Sequence, residues 1–248
     1  MKDSPELLKL PDPDTIGPGD VIAVGDIHAR YDLFSEFLDF VEGSLATVIL
    51  LGDIIDRGGD DLKVLRTVEH LLNAPNDFGI SNAFCLMGNH EAMFVDAMVG
   101  SGADYVLWLQ NGGNFEDFAE MREHLEWLSE LPVYMTVDDT MFIHAGIVPG
   151  RDPYELVDAG KVDKLLWMRE PFLSQGPQFE EWNKELRQIV FGHTPKIGEG
   201  EGEPYTIPNG ICIDTGAHFT NVLTAYNVSQ DTFYQFTAPA NAEETAHC

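Results

Sequence analysis

The segment GDIIDRG, residues 52–58, follows directly on the apolar run TVILL, residues 47–51. A short apolar run of this kind predicts a buried strand, and the glycine after it lets the chain turn sharply. Four further segments repeat the arrangement. They are GDIH at 25–28 after VIAV, GNHE at 88–91 after AFCLM, HAG at 144–146 after TMFI, and GHT at 192–194 after QIVF. Asp, Asn and His side chains at repeated strand ends are what a centre holding two metal ions requires.

The remaining elements follow from hydrophobic periodicity and turn signals. Predicted strands cover residues 21–24, 47–51, 83–87, 133–137, 140–143, 189–191, 211–213, 222–227 and 232–236. Predicted helices cover residues 32–41 with Asp32 as N-cap, about 60–72, a segment opening near His90, and 104–128 with an interruption at Gly112–Gly113; residues 151–186 are helical or irregular. The glycine-rich segment 198–205 is interpreted as a loop.

Length and composition predict one globular α/β domain over residues 1–248, with a core at about 20–237 and flexible tails. The 248 residues are 44% apolar, which is enough for a sizeable core. The first fourteen residues lack the apolar stretch of a signal peptide, and no run of eighteen apolar residues predicts a membrane span. Three cysteines without framework spacing predict core thiols and a reducing, cytoplasmic location.

The charge is strongly acidic. Forty-two acids against fourteen bases give a net charge of −28 and a pI near 4.3. Such a surface repels nucleic acid phosphates and anionic membranes, so neither is expected as a partner. Two explanations stay open. In the first, the acids serve only solubility; in the second, they reflect a salt-rich habitat in which cations screen the self-repulsion.

In this order, the five motifs resemble the signature blocks of the phosphoprotein phosphatases, the metal-dependent Ser/Thr phosphatases among the calcineurin-like metallophosphoesterases. The resemblance extends over about residues 21–227 and includes the closing segment IDTGAHFTNVLTAY, 213–226. It implies a β-sandwich flanked by helices, with a dinuclear metal site at strand ends, and the short spacing between blocks is typical of bacterial or phage members. Each motif alone is compatible with a turn or a helix cap; their joint order carries the resemblance.

The resemblance also implies the metal ligands. They are Asp26 and His28 for the first ion, Asp53 for the bridge between both ions, and Asn89, His144 and His193 for the second. A carboxylate can bridge two cations because each of its oxygens has spare lone pairs. Mixed His, Asp and Asn ligands suit manganese, iron or zinc and argue against an all-oxygen calcium cage. We expect two divalent ions, with manganese first and iron or zinc as alternatives.

The groups that act on the phosphate are implied in the same way. His90 matches the general acid that protonates the leaving oxygen, and Asp56 matches the carboxylate that orients its imidazole. Arg57 and Arg169 match arginines that bind phosphoryl oxygens through their planar forks. The implied nucleophile is a hydroxide that bridges the ions, so no phospho-enzyme is expected.

The implied activity is hydrolysis of phosphoserine and phosphothreonine in proteins, extending to phosphotyrosine and small aryl phosphates, by a monomeric enzyme. The alternative is a symmetrical diadenosine tetraphosphate hydrolase, which shares these motifs; DRG at 56–58 and GNHE instead of GNHD favour the protein phosphatase. A third possibility is a binding module that has kept the fold without activity. The intact set of ligands argues against this possibility.

Several positions depart from the family pattern or stay ambiguous. Ala29 stands where the family has glycine, so a positive φ there would cost about 1 kcal/mol. Thr220 and Asn221 replace common glycines near the substrate groove. The remaining candidates are Arg30 as a phosphate contact, His218 as a neighbour of the ligands or a loop histidine, Tyr31, Trp108 and Trp167 as core or adenine-stacking aromatics, His70 and His124 as surface residues, and His247 in the tail.

Overall fold

The computed structural model describes residues 16–237. The predicted tails, with His247 and Cys248, lie largely outside these residues. Two five-stranded sheets form the centre, and helices cover their outer faces. The α/β fold with a β-sandwich flanked by helices is therefore confirmed.

The first sheet has the strand order β10-β9-β1-β2-β3. Its strands are β1 Val21–Val24, β2 Thr47–Leu50, β3 Asn82–Cys85, β9 Val222–Asn227 and β10 Thr232–Thr237. β1, β2 and β3 are parallel, with Val21 opposite Thr47 and Thr47 opposite Asn82. β9 pairs antiparallel with both β1 and β10. The carboxyl ends of the three parallel strands therefore lie at one edge.

The second sheet has the order β4-β5-β6-β8-β7. Its strands are β4 Tyr134–Val137, β5 Thr140–Ile143, β6 Gln188–Phe191, β7 Tyr205–Ile207 and β8 Gly210–Cys212. β4 and β5 form the predicted antiparallel hairpin, and β5, β6 and β8 are parallel. β7 was not predicted, because the loop interpretation of 198–205 ran up to its first residue; its partner is the adjacent β8.

The alternation of side chains along the strands divides the core. In β2, Val48 and Leu50 pack with the helices, whereas Ile49 faces the other sheet. The layer between the sheets also contains Phe142 and Val190 from the second sheet. All are fully buried, as the period of two in a strand requires. Cys85 and Cys212 are buried free thiols, as predicted.

The helices are α1 Tyr31–Val41, α2 Asp61–Asn73, α3 Asn89–Val99, α4 Gly102–Gln110, α5 Phe118–Met121, α6 Leu125–Ser129, α7 Tyr154–Asp158, α8 Asp163–Leu166, α9 Phe172–Gln175 and α10 Ala217–Thr220. Short 3₁₀ turns lie at Pro75–Phe78, Arg122–His124 and Phe179–Glu181. Among the described residues, no helix combines the length and the apolar character needed to cross a bilayer.

One prediction about α1 is wrong. Asp32 does not cap the helix, which begins at Tyr31 without a side-chain cap. The Asp32 carboxylate instead accepts two hydrogen bonds from the guanidinium of Arg30, at 2.9 and 2.7 Å. The predicted apolar face of α1 is confirmed, since Phe34 and Phe37 are fully buried against the first sheet.

Candidate metal centre

Five loops meet at one edge of the sandwich, after β1, β2 and β3 of the first sheet and after β5 and β6 of the second. The loops are tightly wound. Their non-glycine residues with positive φ are His28 (47°), Ala29 (53°), Asp53 (49°), Asp56 (69°), Arg57 (72°) and His193 (68°). Each costs roughly 1–2 kcal/mol, and such strain clusters at functional sites. Ala29 thus occupies a backbone conformation that suits glycine.

Four side chains converge on the second-sheet side of the site. Asn89 Oδ1 lies 2.9 Å from His144 Nε2 and 2.8 Å from His193 Nδ1. The two imidazole nitrogens are 3.2 Å apart, and Asp53 Oδ1 lies 3.4 Å from His144 Nε2. Asp53, His144 and His193 form one group whose ligand atoms lie within 4.8 Å of one another.

The donor chemistry of this group fits a cation. His144 Nδ1 donates to the Leu51 carbonyl at 3.1 Å, so Nε2 presents a lone pair to the other acceptors. His193 Nε2 is buried without a hydrogen-bond partner. Asn89 Oδ1, His144 Nε2 and the Asp53 carboxylate all present lone pairs here, and a bound cation would satisfy them together.

A second group of possible ligands shares Asp53. It consists of His28, Asp53 and His90, with ligand atoms again within 4.8 Å of one another. His28 Nδ1 faces the Ile55 carbonyl at 3.0 Å, which orients Nε2 into the site. Asp26 is not in this group. It is buried, and its carboxylate accepts hydrogen bonds from the His193 amide at 3.2 and 3.1 Å.

Charge interactions keep Asp53 ionised. Burial raises the pKa of its carboxyl, but the charges of His144, His90 and His28 outweigh burial and hold that pKa well below the ordinary value. Burial lowers the pKa of His193 to about 3. Burial also lowers the pKa of His28 and His144. A lowered pKa favours the neutral imidazole, which is the form that binds a metal.

His90 and Asp56 form a buried pair beside this cluster. His90 Nδ1 lies 2.6 Å from Asp56 Oδ2. Burial lowers the pKa of His90, but the charges of Asp53 and Asp56 raise it above the ordinary value. The Arg57 guanidinium donates to His90 Nε2 at 2.8 Å and to His28 Nε2 at 2.9 Å. Arg57 therefore lies over the centre on the first-sheet side.

The charge of Arg169 acts on the histidines of the second-sheet side. The residue is exposed, and its charge adds to burial in lowering the pKa of His144 and His193. Trp167, 40% exposed, lies with its ring centroid 5.8 Å from that of His193. Both predicted arginines thus act on histidines of the cluster.

Comparison with known proteins agrees with this geometry. Residues 19–225 match the sequence model of the calcineurin-like phosphoesterases. The chain belongs to the calcineurin-like phosphoesterase family. Membership confirms the predicted family and makes the protein a hydrolase of phosphate esters; the family and the His/Asp clusters together indicate a metal centre.

The relatives differ in the substrate that their names state. Serine/threonine-protein phosphatase 2 of Escherichia coli is 31% identical over 223 residues, covering 83% of this chain and 91% of that protein. An asymmetrical bis(5'-nucleosyl)-tetraphosphatase of Oceanobacillus iheyensis is 27% identical over 242 residues, covering 85% and 89%. A cold-active protein-tyrosine phosphatase of a Shewanella species has a TM-score of 0.60 at 19% identity, covering 95% and 87% of the two chains, and shows the fold alone.

Glu91 is a site residue of this phosphoesterase that the sequence analysis missed. Its Oε2 accepts from the amides of Asp53 (2.8 Å) and Gly88 (2.9 Å), and its Oε1 accepts from Ile54 (2.8 Å). An added Cβ at Gly88 would overlap Asp53, so the loops after β2 and β3 touch here. The signal was present in GNHE, where a carboxylate follows three residues after the glycine.

Asp214 was also missed. It follows β8 directly, just as Asp26 follows β1, so the pattern of acids after strands could have identified it. It is buried beside Asp26, and burial together with the charge of Asp53 raises the pKa of Asp214 to about 7. Its Oδ1 accepts from the Gly216 amide at 2.8 Å.

The structure also places one arginine and three histidines that the sequence left open or predicted to lie at the surface. Arg30 donates to the Ala217 carbonyl and Asn221 Oδ1, both at 2.7 Å, which fixes the loop before α1. His218 lies at the site, with its ring edge-on to His28 at 4.9 Å, so the loop alternative is wrong. His124 is buried and contacts Glu69 Oε2 at 2.9 Å, so its prediction as a surface residue is wrong, whereas His70 is exposed.

Proposed function

We propose that this phosphoesterase is a phosphomonoesterase that hydrolyses phosphoserine and phosphothreonine in proteins, with two divalent ions, manganese first. The protein substrate is favoured over a dinucleotide because two of the three aromatic residues that could stack on adenine are covered on at least one face. Trp108 is fully buried, and the Tyr31 ring is covered by the Lys63 ammonium at 3.7 Å. Trp108 is therefore closed to a base, and one face of the Tyr31 ring is occupied by Lys63.

Six residues would hold the ions in this proposal. They are Asp26 and His28 for one ion, Asn89, His144 and His193 for the other, and Asp53 for both. Bound ions supply Lewis acidity, which neutralises the phosphoryl oxygens and makes water acidic enough to attack near neutral pH. Asp53 Oδ1 lies 3.4 Å from His144 Nε2 and Oδ2 lies 3.7 Å from His28 Nε2, so its carboxylate would offer one oxygen to each group of ligands.

The remaining groups act on the phosphate. The Arg57 fork, already aimed at the centre, would bind two phosphoryl oxygens, with Arg169 as the second arginine. Once Arg57 turns from His90 Nε2 to the phosphate, that nitrogen would carry the proton that passes to the leaving oxygen, while Nδ1 stays bonded to Asp56. The raised pKa of His90 favours the protonated imidazole that this role needs.

The test compares two substrates with one Mn²⁺-loaded preparation. Phosphate release from a phosphothreonine peptide is expected to have the higher kcat/KM, and diadenosine tetraphosphate the lower. A preference for the dinucleotide would overturn the proposed substrate. Asp53→Ala serves as the control, because any activity that survives this change comes from a contaminant.

Nucleotide cleavage is the second candidate, and Trp167 is the observation that favours it. Its indole is partly exposed beside His193 and could stack on a base. Trp167→Leu should then raise the KM for diadenosine tetraphosphate while the KM for the phosphopeptide stays unchanged. Equal effects on both substrates would remove this argument.

A further inference from the structure

We propose that Trp108 is a positioning residue for the acid pair: its indole N–H holds the Asp56 carboxylate in the plane from which it orients His90. The inference rests on the proposed function, in which His90 protonates the leaving oxygen. Trp108 itself touches neither substrate nor ions, because it is fully buried.

The hydrogen bonds of Asp56 carry the inference. Trp108 Nε1 lies 3.0 Å from Asp56 Oδ1 and 3.1 Å from Oδ2, so its single hydrogen is shared between both oxygens. Oδ2 also receives His90 Nδ1 at 2.6 Å. The Asp56 amide donates to Asp61 Oδ1 at 2.6 Å, which fixes the backbone. With the backbone fixed and both oxygens held, the carboxylate cannot rotate, and the imidazole plane is set by it.

The indole is itself held in place. Its ring packs against Phe118 and Phe94, with centroids 5.0 and 5.7 Å away. An added Cβ at Gly113 would collide with the indole ring, so only glycine lets the chain pass this closely. A rigid aromatic cluster behind the donor is what positioning requires, because a mobile donor would not fix its acceptor.

The same segment also positions Arg57. The Arg57 amide donates to the Gly112 carbonyl at 3.0 Å, two residues beyond the end of α4. The stretch Trp108–Gly113 therefore supports neighbouring residues of the DRG motif, one through a side chain and one through the backbone. Packing alone would explain a phenylalanine at 108, whereas the indole N–H aimed at a carboxylate needs a further reason.

The inference has a chemical signature in the leaving group. As the oxygen of a water molecule bonds to phosphorus and the ester P–O bond breaks, the electron pair stays on the ester oxygen and His90 transfers its proton to that oxygen. The attacking water loses a proton to solvent, and the neutral imidazole later regains one from solvent. Phenolate needs this proton more than 2,4-dinitrophenolate, which leaves well without it. Misplacing His90 should therefore slow phenyl phosphate far more than 2,4-dinitrophenyl phosphate.

The experiment measures kcat for both esters with the Mn²⁺-loaded enzyme and the variants Trp108→Phe, His90→Ala and the double variant. Trp108→Phe should lower kcat on phenyl phosphate about tenfold, a part of the roughly 10² attributable to a general acid, and on the dinitrophenyl ester less than about threefold. The double variant should be no slower than His90→Ala alone, because both changes remove one function. Trp127→Phe deletes an indole N–H that donates to His124 Nδ1 instead of Asp56, so it is the matched control and should not discriminate between the esters.

Equal losses on both esters, or multiplied effects in the double variant, would overturn the positioning role and leave Trp108 as a core residue. If His90→Ala lowers kcat by the same factor on both esters, relative to the wild type, then His90 is not the acid. That result would contradict the proposed function instead of the role of Trp108. Should Trp108→Phe not fold, site-specific replacement by 3-benzothienylalanine keeps the ring shape and deletes only the N–H. The same discrimination between esters is then expected, and its absence would overturn the proposal.

Discussion

Four hydrogen bonds fix the backbone and the side chain of Asp53. Its carbonyl accepts from the amides of Ile27 (3.1 Å) and His28 (2.8 Å), its amide donates to Glu91, and its Oδ1 accepts from the His90 amide at 3.0 Å. The side chain is therefore preorganised before any ion arrives, so little entropy is lost on binding. A bridging carboxylate needs this fixed orientation toward both sides.

Replacing His90 tests its role at the residue scale. His90→Ala should lower kcat by roughly 10² or more on phosphothreonine peptides, because the leaving oxygen loses its proton donor. Metal content, measured by elemental analysis, should stay unchanged. Loss of metal would instead make His90 a ligand, as its place in the group with His28 and Asp53 allows. His70→Ala, at an exposed position, is the control.

The sequence predicted the residues that follow strands, and it missed those whose roles depend on distant contacts. His90 and Asp56 were found through their motifs. The Trp108 bond to Asp56 joins residues 52 positions apart, and the Glu91 bond to the Asp53 amide joins residues 38 apart. Helical periodicity describes such a tryptophan as core, and only the packing of α4 shows where its N–H points.

At the scale of elements, the start of α3 is joined to the loop after β2 by a single carboxylate. Glu91 accepts two backbone hydrogen bonds across this junction, from Asp53 and Ile54, and a third from Gly88 directly before α3. Glu91→Gln places an amide NH₂ against at least one backbone N–H, which should destabilise the fold by about 1–3 kcal/mol. It should also weaken Mn²⁺ binding, because Asp53 moves with the loop.

Urea unfolding and a Mn²⁺ titration measure the two effects of Glu91→Gln. Glu126→Gln, on the exposed face of α6, is the matched control and should change neither. Unaltered stability and affinity in Glu91→Gln would mean that the junction is held by packing alone.

The start of α2 provides a test of pH dependence. Asp61 is buried, its Oδ2 has no hydrogen-bond partner, and burial raises its pKa to about 6 from an ordinary value of 3.8. Because the folded pKa is raised, the protonated acid is favoured in the folded state. The protonated Asp61 carboxyl therefore contributes to the free energy of unfolding below about pH 4, and this contribution is lost as the pH rises through 6.

Asp61→Asn keeps the acceptor for the Asp56 amide and removes the charge. The variant should be more stable than wild type by about 1–3 kcal/mol at pH 8 and gain little at pH 4, by urea unfolding. The gain in the free energy of unfolding at pH 8 is expected to fall below the upper end of this range, because the helix N-terminus partly stabilises the Asp61 carboxylate. Parallel pH profiles for the two proteins would contradict the assignment.

The elements were predicted best where one pattern covered the whole segment. The buried face of α1 and the β4–β5 hairpin agree with their patterns. Residues 104–128 instead form α4, α5, a 3₁₀ turn and α6. Gly112 lies against Arg57 and Gly113 against the Trp108 ring, so the helix stops there and the chain restarts beyond them. A single-sequence pattern records the interruption and not its tertiary cause.

For the whole molecule, the proposed ions would join the two sheets. Asp53 and Asn89 follow strands of the first sheet, and His144 and His193 follow strands of the second. Mn²⁺ at a hundred times its Kd should raise the free energy of unfolding by about 2.7 kcal/mol, which corresponds to a rise in Tm of roughly 5–10 °C. Asp53→Ala should abolish this shift, and the exposed Asp39→Ala should retain it. A normal metal content in Asp53→Ala would contradict the ligand assignment.

The net charge of −28 gives a second prediction at this scale. At molar salt the Debye length falls to about 3 Å, so repulsion among surface acids is screened. The Tm of the metal-loaded protein should rise between low salt and 1 M KCl. An unchanged Tm would support the explanation in which the acids serve solubility only.

Because the centre is divided between two sheets, metal binding would depend on the correct packing of one sheet on the other. Under the proposed assignment, a chain whose sheets have packed in the wrong register cannot bring its donors together, so it takes up no ion and stays inactive. Tightly held metal would then count the correctly refolded molecules in a sample, and no substrate would be needed to do so.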